Sequence, residues 1–252
     1  MTHYAFKFGY EGQYFTGFQR GNGEHSIEDA IIYVLRENNF EYDIRTAART
    51  DRYVSAVSNV FALETMREPD SVANLINSKE RHIFVHSYAV VPDDFNPRHC
   101  TYKTYRYYLF DDIDCRAMEN VIRKFIGTHD FRSFARVDSR RTMRTILDAK
   151  CGEEDNHKYI EFKARSFLWN QVRTMVAFAQ DNAETGIDPF SIEGRYPRVA
   201  RPNNLILWEI YYEGVDFKVV RRTPKKMREL YEDSSIDAML LENLIQKFNH
   251  SI

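Results

Sequence analysis

From Tyr4 to Tyr10 an aromatic residue occupies every second position (Tyr4, Phe6, Phe8, Tyr10), a period-two pattern that predicts a strand. Gly12, Gly17, Gly21 and Gly23 then punctuate a loop from Glu11 to Gly23. Ser26 and Asp29 have the spacing of a capping box, and Ile27, Ala30, Ile31, Val34 and Leu35 repeat at helical spacing, so a helix should run to Asn38. Ile44 to Leu63 reads as a turn feeding a second strand. Pro69 to Ser78 reads as a short helix, and His82 to Val91 as a third strand. This order of elements predicts an α+β unit.

Pro92 to Pro97 (PDDFNP) reads as a linker, and the plan restarts after it. Lys103 to Phe110 is an aromatic-rich strand pattern, and Cys115 to Ile126 is helical. Thr142 to Gly152 and Tyr159 to Ala164 form a strand pair. Phe167, Leu168, Val172, Met175, Val176 and Ala179 predict a helix over Phe167 to Gln180, and Leu205 to Tyr212 a last strand. The expectation is α+β, with two similar subdomains of mainly antiparallel sheet flanked by helices. These are residues 1–95 and 96–214, followed by a charged, partly helical tail over 215–252.

Composition narrows the function classes. At 252 residues the chain buries a sizeable core. Its net charge of −2 excludes a uniformly basic nucleic-acid binder, so any RNA surface must segregate the 35 Lys and Arg onto one face. The aromatic share of 14% favours a sheet-rich fold or a surface that stacks flat ligands. No apolar run reaches the length of a membrane span or a signal peptide. Three widely spaced cysteines, Cys100, Cys115 and Cys151, argue against a disulfide framework and a zinc site, and point to a reducing cytoplasm. There is no Walker loop, no GxGxxG after a strand, no nucleophile elbow and no CxxC, so neither cofactor nor metal is expected.

Candidate chemistry centres on Arg49-Thr50-Asp51, set among Ala47, Ala48, Val54, Ala56 and Val57. It reads either as a solvated pair on a loop, or as an acid presented from a packed turn with a cation holding it ionised, as a nucleophile requires. Lys103-Thr104-Tyr105-Arg106-Tyr107-Tyr108 puts Tyr105 and Tyr107 on one strand face. Such a face stacks a base, worth roughly 1–3 kcal/mol, or packs in a half-buried sheet. Arg173 lies on the helix predicted from Phe167, as a cation reaching solvent or as the partner of Asp51. His129 and Asp130 suit acid–base work or a turn anchoring Phe131 and Phe134. The basic runs 140–144 and 221–228 read as solvated faces or phosphate contacts. His82 and His86 flank strand residues and do not form a metal clamp.

Five segments in chain order resemble the TruA family of tRNA pseudouridine synthases. Tyr10-Glu11-Gly12 with Gly17-Phe18-Gln19-Arg20 resembles YDGxxxxGWQ, and Ala48-Arg49-Thr50-Asp51 resembles GRTD. Lys103 to Tyr107 resembles (K/R)xYRY, Gly127 to Phe134 resembles GxHDFxxF, and Ser166 to Arg173 resembles SFLxxxVR. The resemblance implies a pseudouridine synthase fold with a central RNA-binding cleft. It implies isomerisation of uridine in the tRNA anticodon stem-loop, around positions 38 to 40, without cofactor. It also implies a homodimer. By the same resemblance Asp51 is the nucleophile, Arg173 its partner, Tyr105 the residue stacking on the uracil, Arg49 a contributor to base extrusion and RNA contact, and Leu205 a wall of the uracil pocket. The chain departs from the family where Ala48 replaces a glycine, where Tyr53 stands in place of the usual glycine, and over Trp169 to Gln171, where a basic or histidine pair is common. The rival readings are a catalytically silent RNA-binding protein on the same fold and an enzyme using Asp51 as a phosphoryl acceptor.

Overall fold

The computed structural model describes residues 1–21, 25–110, 113–136, 141–154, 157–221 and 224–249, with side chains to 241. Gly23, Arg140, Arg222 and Thr223, which belong to the glycine loop and the two basic runs, lie outside the described residues. The strands are β1 (Thr2–Tyr10), β2 (Arg45–Thr46), β3 (Ser55–Thr65), β4 (Ile83–Val90), β5 (Tyr102–Leu109), β6 (Gly127–Asp130), β7 (Met143–Glu154), β8 (His157–Ala164), β9 (Leu205–Tyr211) and β10 (Lys218–Val219). The helices are α1 (Ile27–Glu37), α2 (Pro69–Lys79), α3 (Cys115–Ile122), α4 (Gln171–Asn182) and α5 (Lys225–Asn249). One sheet runs through the molecule in the order β10-β4-β1-β3-β9-β5-β8-β7-β6, with β2 beside β3. Its ladders are antiparallel except at the centre, where Ser55 and Ala56 of β3 pair in parallel with Ile206 and Leu207 of β9.

The periodicities expected from the sequence place the core. In α1 the stripe Ile27, Ala30, Ile31, Val34 and Leu35 is buried, and the Ser26 hydroxyl accepts from the Asp29 N–H at 3.1 Å, so the cap forms as expected. The stripe faces a sheet surface where the Phe6 ring stacks on Phe61 at 4.9 Å and Phe8 and Tyr10 pack against Phe18. In the second half Phe125 meets Phe134, Phe178 and Phe162 edge-on at 5.0–6.2 Å, beneath α3 and α4. Burying such side chains is worth about 1.5–3 kcal/mol each. His129 and Asp130 lie in the short strand β6 rather than in a turn, and the Phe131 and Phe134 rings that follow are fully buried and anchor the segment. His129 itself stacks on Phe190 at 4.1 Å.

Three expectations need correction. The helix carrying Arg173 begins at Gln171, four residues later than the periodicity from Phe167 predicts. Asn170 takes a left-handed conformation (φ 63°), and the Gln171 side chain accepts from the Leu168 N–H at 2.8 Å, which satisfies the chain before the helix starts. Second, Cys115 and Cys151 are joined in a disulfide with Cα atoms 5.5 Å apart, because the start of α3 lies by the last third of β7; the cysteine spacing carried no sign of that approach. Cys100 remains a free, buried thiol. Third, the chain after Asp216 is not only charged and helical. Lys218 and Val219 add an edge strand to β4. Beyond it, the Lys226 ammonium donates to the carbonyl oxygens of Glu80 and Ile83, and Arg221 pairs with Asp70 at 3.3 Å, so the tail is strapped to the first half. Among the described residues no helix is long and apolar enough to cross a membrane.

Candidate active site

The loop 47–54 between β2 and β3 presents Asp51, and its neighbours hold every part of it. Asn59 donates to the Ala48 carbonyl at 2.9 Å, Lys103 reaches across from β5 to the Ala47 carbonyl at 2.8 Å, and the Phe18 N–H donates to the Thr50 carbonyl at 3.2 Å. The Tyr10 hydroxyl bonds the Thr50 hydroxyl at 2.8 Å, inside the core, and burial pushes the phenol's pKa up. Gly12 lies so close beneath the loop that a Cβ there would stand 2.2 Å from the Val54 carbonyl oxygen. The turn closes with the Val54 N–H on the Asp51 carbonyl at 3.2 Å and with Tyr53 at φ 71°. A left-handed conformation explains why glycine is usual there. This chain places tyrosine instead, with the Arg52 guanidinium 4.7 Å above its ring.

Arg173 approaches from the opposite half. It sits in the first turn of α4, and its Nη1 donates to Asp51 Oδ2 at 3.0 Å, across 122 residues of sequence. Its Nε donates to the Ala200 carbonyl at 2.7 Å, and its Nη1 also reaches Asn170 Oδ1 at 3.4 Å. The two side chains are 15% and 31% exposed, sheltered but open to a ligand on the aspartate side. A shielded pair of this kind interacts more strongly than a surface pair. Arg173 is therefore the cation beside Asp51. Arg49 points elsewhere: exposed, it lines a recess of about 510 Å³ with Arg20, Arg45 and Arg98, and among the described residues these four make no ion pair with a carboxylate.

Tyr105 comes from β5, next to β9 at the middle of the sheet. It is 9% exposed, and Phe167 meets its ring edge-on at 5.3 Å. Burial holds its pKa well above the usual phenol value, and the nearby Tyr10 phenol and Asp51 carboxylate push the same way. The buried-strand reading of Tyr105 is thus correct for most of the ring, yet the residue borders the aspartate. Leu205, 5% exposed, opens β9 opposite Tyr107; Leu207 is the residue facing Tyr105 directly. Sequence reasoning missed Phe167, Asn170 and the Ala200 carbonyl as parts of this site. Phe167 was read as helix periodicity and as part of the SFLxxxVR resemblance but given no role, and a carbonyl leaves no sequence signal.

The comparisons with known proteins decide the family. A tRNA pseudouridine synthase from Thermoplasma acidophilum, tRNA pseudouridine synthase A, is 62% identical over 98% of this chain and 99% of its own length. The chain belongs to the TruA family of tRNA pseudouridine synthases. The enzymes of the same name from Thermoplasma volcanium and Pyrococcus furiosus are 47% and 36% identical over 97% and 94% of this chain, and over 100% and 94% of their own lengths. A tRNA pseudouridine synthase family model matches residues 121–213. Among solved structures a Cbf5-Nop10-Gar1 complex matches at TM-score 0.39 and 16% identity, over 70% of this chain and 46% of that one, too distant to add weight. As a TruA-family member the chain is an isomerase that converts uridine in tRNA to pseudouridine. The family pattern expects an aspartate facing an arginine, and Asp51 and Arg173 meet in this molecule.

Proposed function

We propose that Asp51 is the nucleophile of a cofactor-independent isomerisation and that its target lies in the anticodon stem-loop, around positions 38 to 40. The reaction breaks the C–N glycosidic bond of uridine, turns the base and forms a C–C bond, so bonds and electrons balance without an external reagent. Attack on either the ribose or the uracil ring requires an ionised carboxylate with a free lone pair. The observation that carries the reading is the 3.0 Å contact between Asp51 and Arg173, which leaves the second carboxylate oxygen unengaged by any described residue. The arginine orients the acid and leaves one of its oxygens open toward a substrate.

The uridine must leave its stack, at a cost of a few kcal/mol. Tyr105 borders the aspartate as a face for the extruded uracil, Leu205 closes the apolar side, and Arg49 and its neighbouring arginines meet the RNA backbone. A phosphoryl acceptor would need further metal-binding acids beside Asp51, and among the described residues no three such ligands gather. A silent RNA-binding protein would have no use for a sheltered, half-satisfied carboxylate. The family also implies a homodimer, which light scattering of the purified protein tests.

The experiment is Asp51→Asn, assayed by tritium release from tRNA transcripts labelled at uridine C5. Turnover should fall to background, while tRNA affinity changes by less than about tenfold, or roughly 1.4 kcal/mol. Turnover at the parent's rate would remove Asp51 from the chemistry.

A further inference from the structure

Trp169 is 50% exposed, a large apolar ring left open beside the site rather than in the core. One of its faces is taken. The Arg136 guanidinium lies 4.2 Å from the ring centroid, and the Arg136 N–H donates to the Trp169 carbonyl at 2.9 Å, so both backbone and ring are held. Its neighbour Asn170 contacts the same Arg173 nitrogen that binds Asp51, and Phe167, two residues earlier, meets Tyr105. Residues 167–173 thus supply the contacts to both Tyr105 and Arg173, and Trp169 is the exposed aromatic residue of that segment. Arg136, which backs the indole, also lines a recess of about 560 Å³ with Arg132, Ser133 and Arg195. Arg132 has a long contact of 3.8 Å to Asp130, while Arg136 and Arg195 have no carboxylate partner among the described residues.

We infer that Trp169 is a stacking subsite for a nucleobase flanking the target uridine, with the phosphodiester of that nucleotide seated on Arg136 and Arg195. The inference rests on the reading of the Asp51–Arg173 cleft as the uridine site. The physical case has three parts. An indole backed by a guanidinium is already flat and immobile, so little ordering is required when a base lands on its free face. The adjoining cations supply the charge that an RNA strand requires. A base leaving its stack to enter the cleft strips its neighbour of a stacking partner, and the indole replaces that partner.

The test uses the full chain, an unmodified tRNA transcript and tryptophan fluorescence. The chain has two tryptophans, Trp169 and Trp208, so the quenching lost on Trp169→Phe belongs to Trp169. We expect tRNA to quench the parent, and Trp169→Phe to remove most of that quenching while keeping most of the affinity. Trp169→Leu should weaken tRNA binding by about 5- to 150-fold, the range set by stacking energies of 1–3 kcal/mol. The effect should appear chiefly in KM rather than kcat. A transcript made abasic at the flanking nucleotide should bind parent and Trp169→Leu alike. Equal quenching in the parent and Trp169→Phe, or parent-like affinity in Trp169→Leu, overturns the inference. The assignment of Asp51 stays separate: tritium release from the parent persists if only the stacking subsite is wrong.

Discussion

At the scale of single residues, the site depends on geometry that conservative changes break. Arg173 uses its Nε on Ala200 and its Nη1 on Asp51, a division of labour that requires a planar fork. Lysine offers a single nitrogen, whereas here two different nitrogens of one planar group meet the two acceptors. Arg173→Lys should therefore lower kcat by about tenfold or more, and Arg173→Ala further, because removing one partner of a sheltered charge pair costs about 2–5 kcal/mol. Single-turnover kinetics on saturating tRNA measure both. Tyr53 makes the opposite case, a residue whose backbone matters more than its side chain. Its φ of 71° suits glycine and disfavours branched residues. Tyr53→Gly should leave stability within about 0.5 kcal/mol, because relief of strain offsets the lost contact with Arg52 and the greater freedom of the unfolded chain. Tyr53→Val should cost about 1–2 kcal/mol. Urea melts of the two variants check the difference, and a Tyr53→Val as stable as its parent would refute the backbone argument.

At the scale of elements, what was legible in the sequence follows from what each pattern encodes. The stripe of α1 and the alternation of β1 report burial, and burial is a local consequence of side-chain order, so both elements stand where the pattern put them. Asp51 and Arg173 could be found because their neighbours resemble a family; nothing in composition announces that two residues 122 apart will touch. The start of α4 was misplaced because the apolar residues Phe167 and Leu168 continue the periodicity while serving the site and not a helix. The strands β2, β6 and β10 are short pieces of two to four residues, too brief to show a period. Gly12 shows an element-level dependence that its sequence did not reveal. The short turn over Gly12–Tyr14 lies directly under the aspartate loop, and the atoms a Cβ would meet are backbone atoms of Val54 and Tyr53, which cannot swing aside. Gly12→Ala should cost about 1–3 kcal/mol and reduce turnover by shifting the loop. Thermal melts together with tritium release test this. A stable variant with full activity would mean that the turn and the loop are not rigidly coupled.

At the scale of the molecule, the order of strands in space departs from their order in the chain. The first half makes β3, the second half makes β5, and the strand lying between them is β9, which begins only at Leu205. During synthesis the ribosome must deliver the chain as far as Leu205 before the sheet can be joined. Until then the Ser55–Ala56 end of β3 and the outer edge of β5 stand unpaired, the kind of surface on which nascent chains add to one another. Long-range closure of this sort is slow. A chain ending at Ala200 should accumulate as aggregate even with both halves otherwise present, and supplying residues 201–252 in trans should raise its yield in the soluble fraction, as sedimentation after expression would show. The same arrangement gives the cell a safeguard. On any product that stops before Leu205, Asp51 and Arg173 lack the strand that joins their two halves, so a chain cut short there cannot assemble the pair through the sheet.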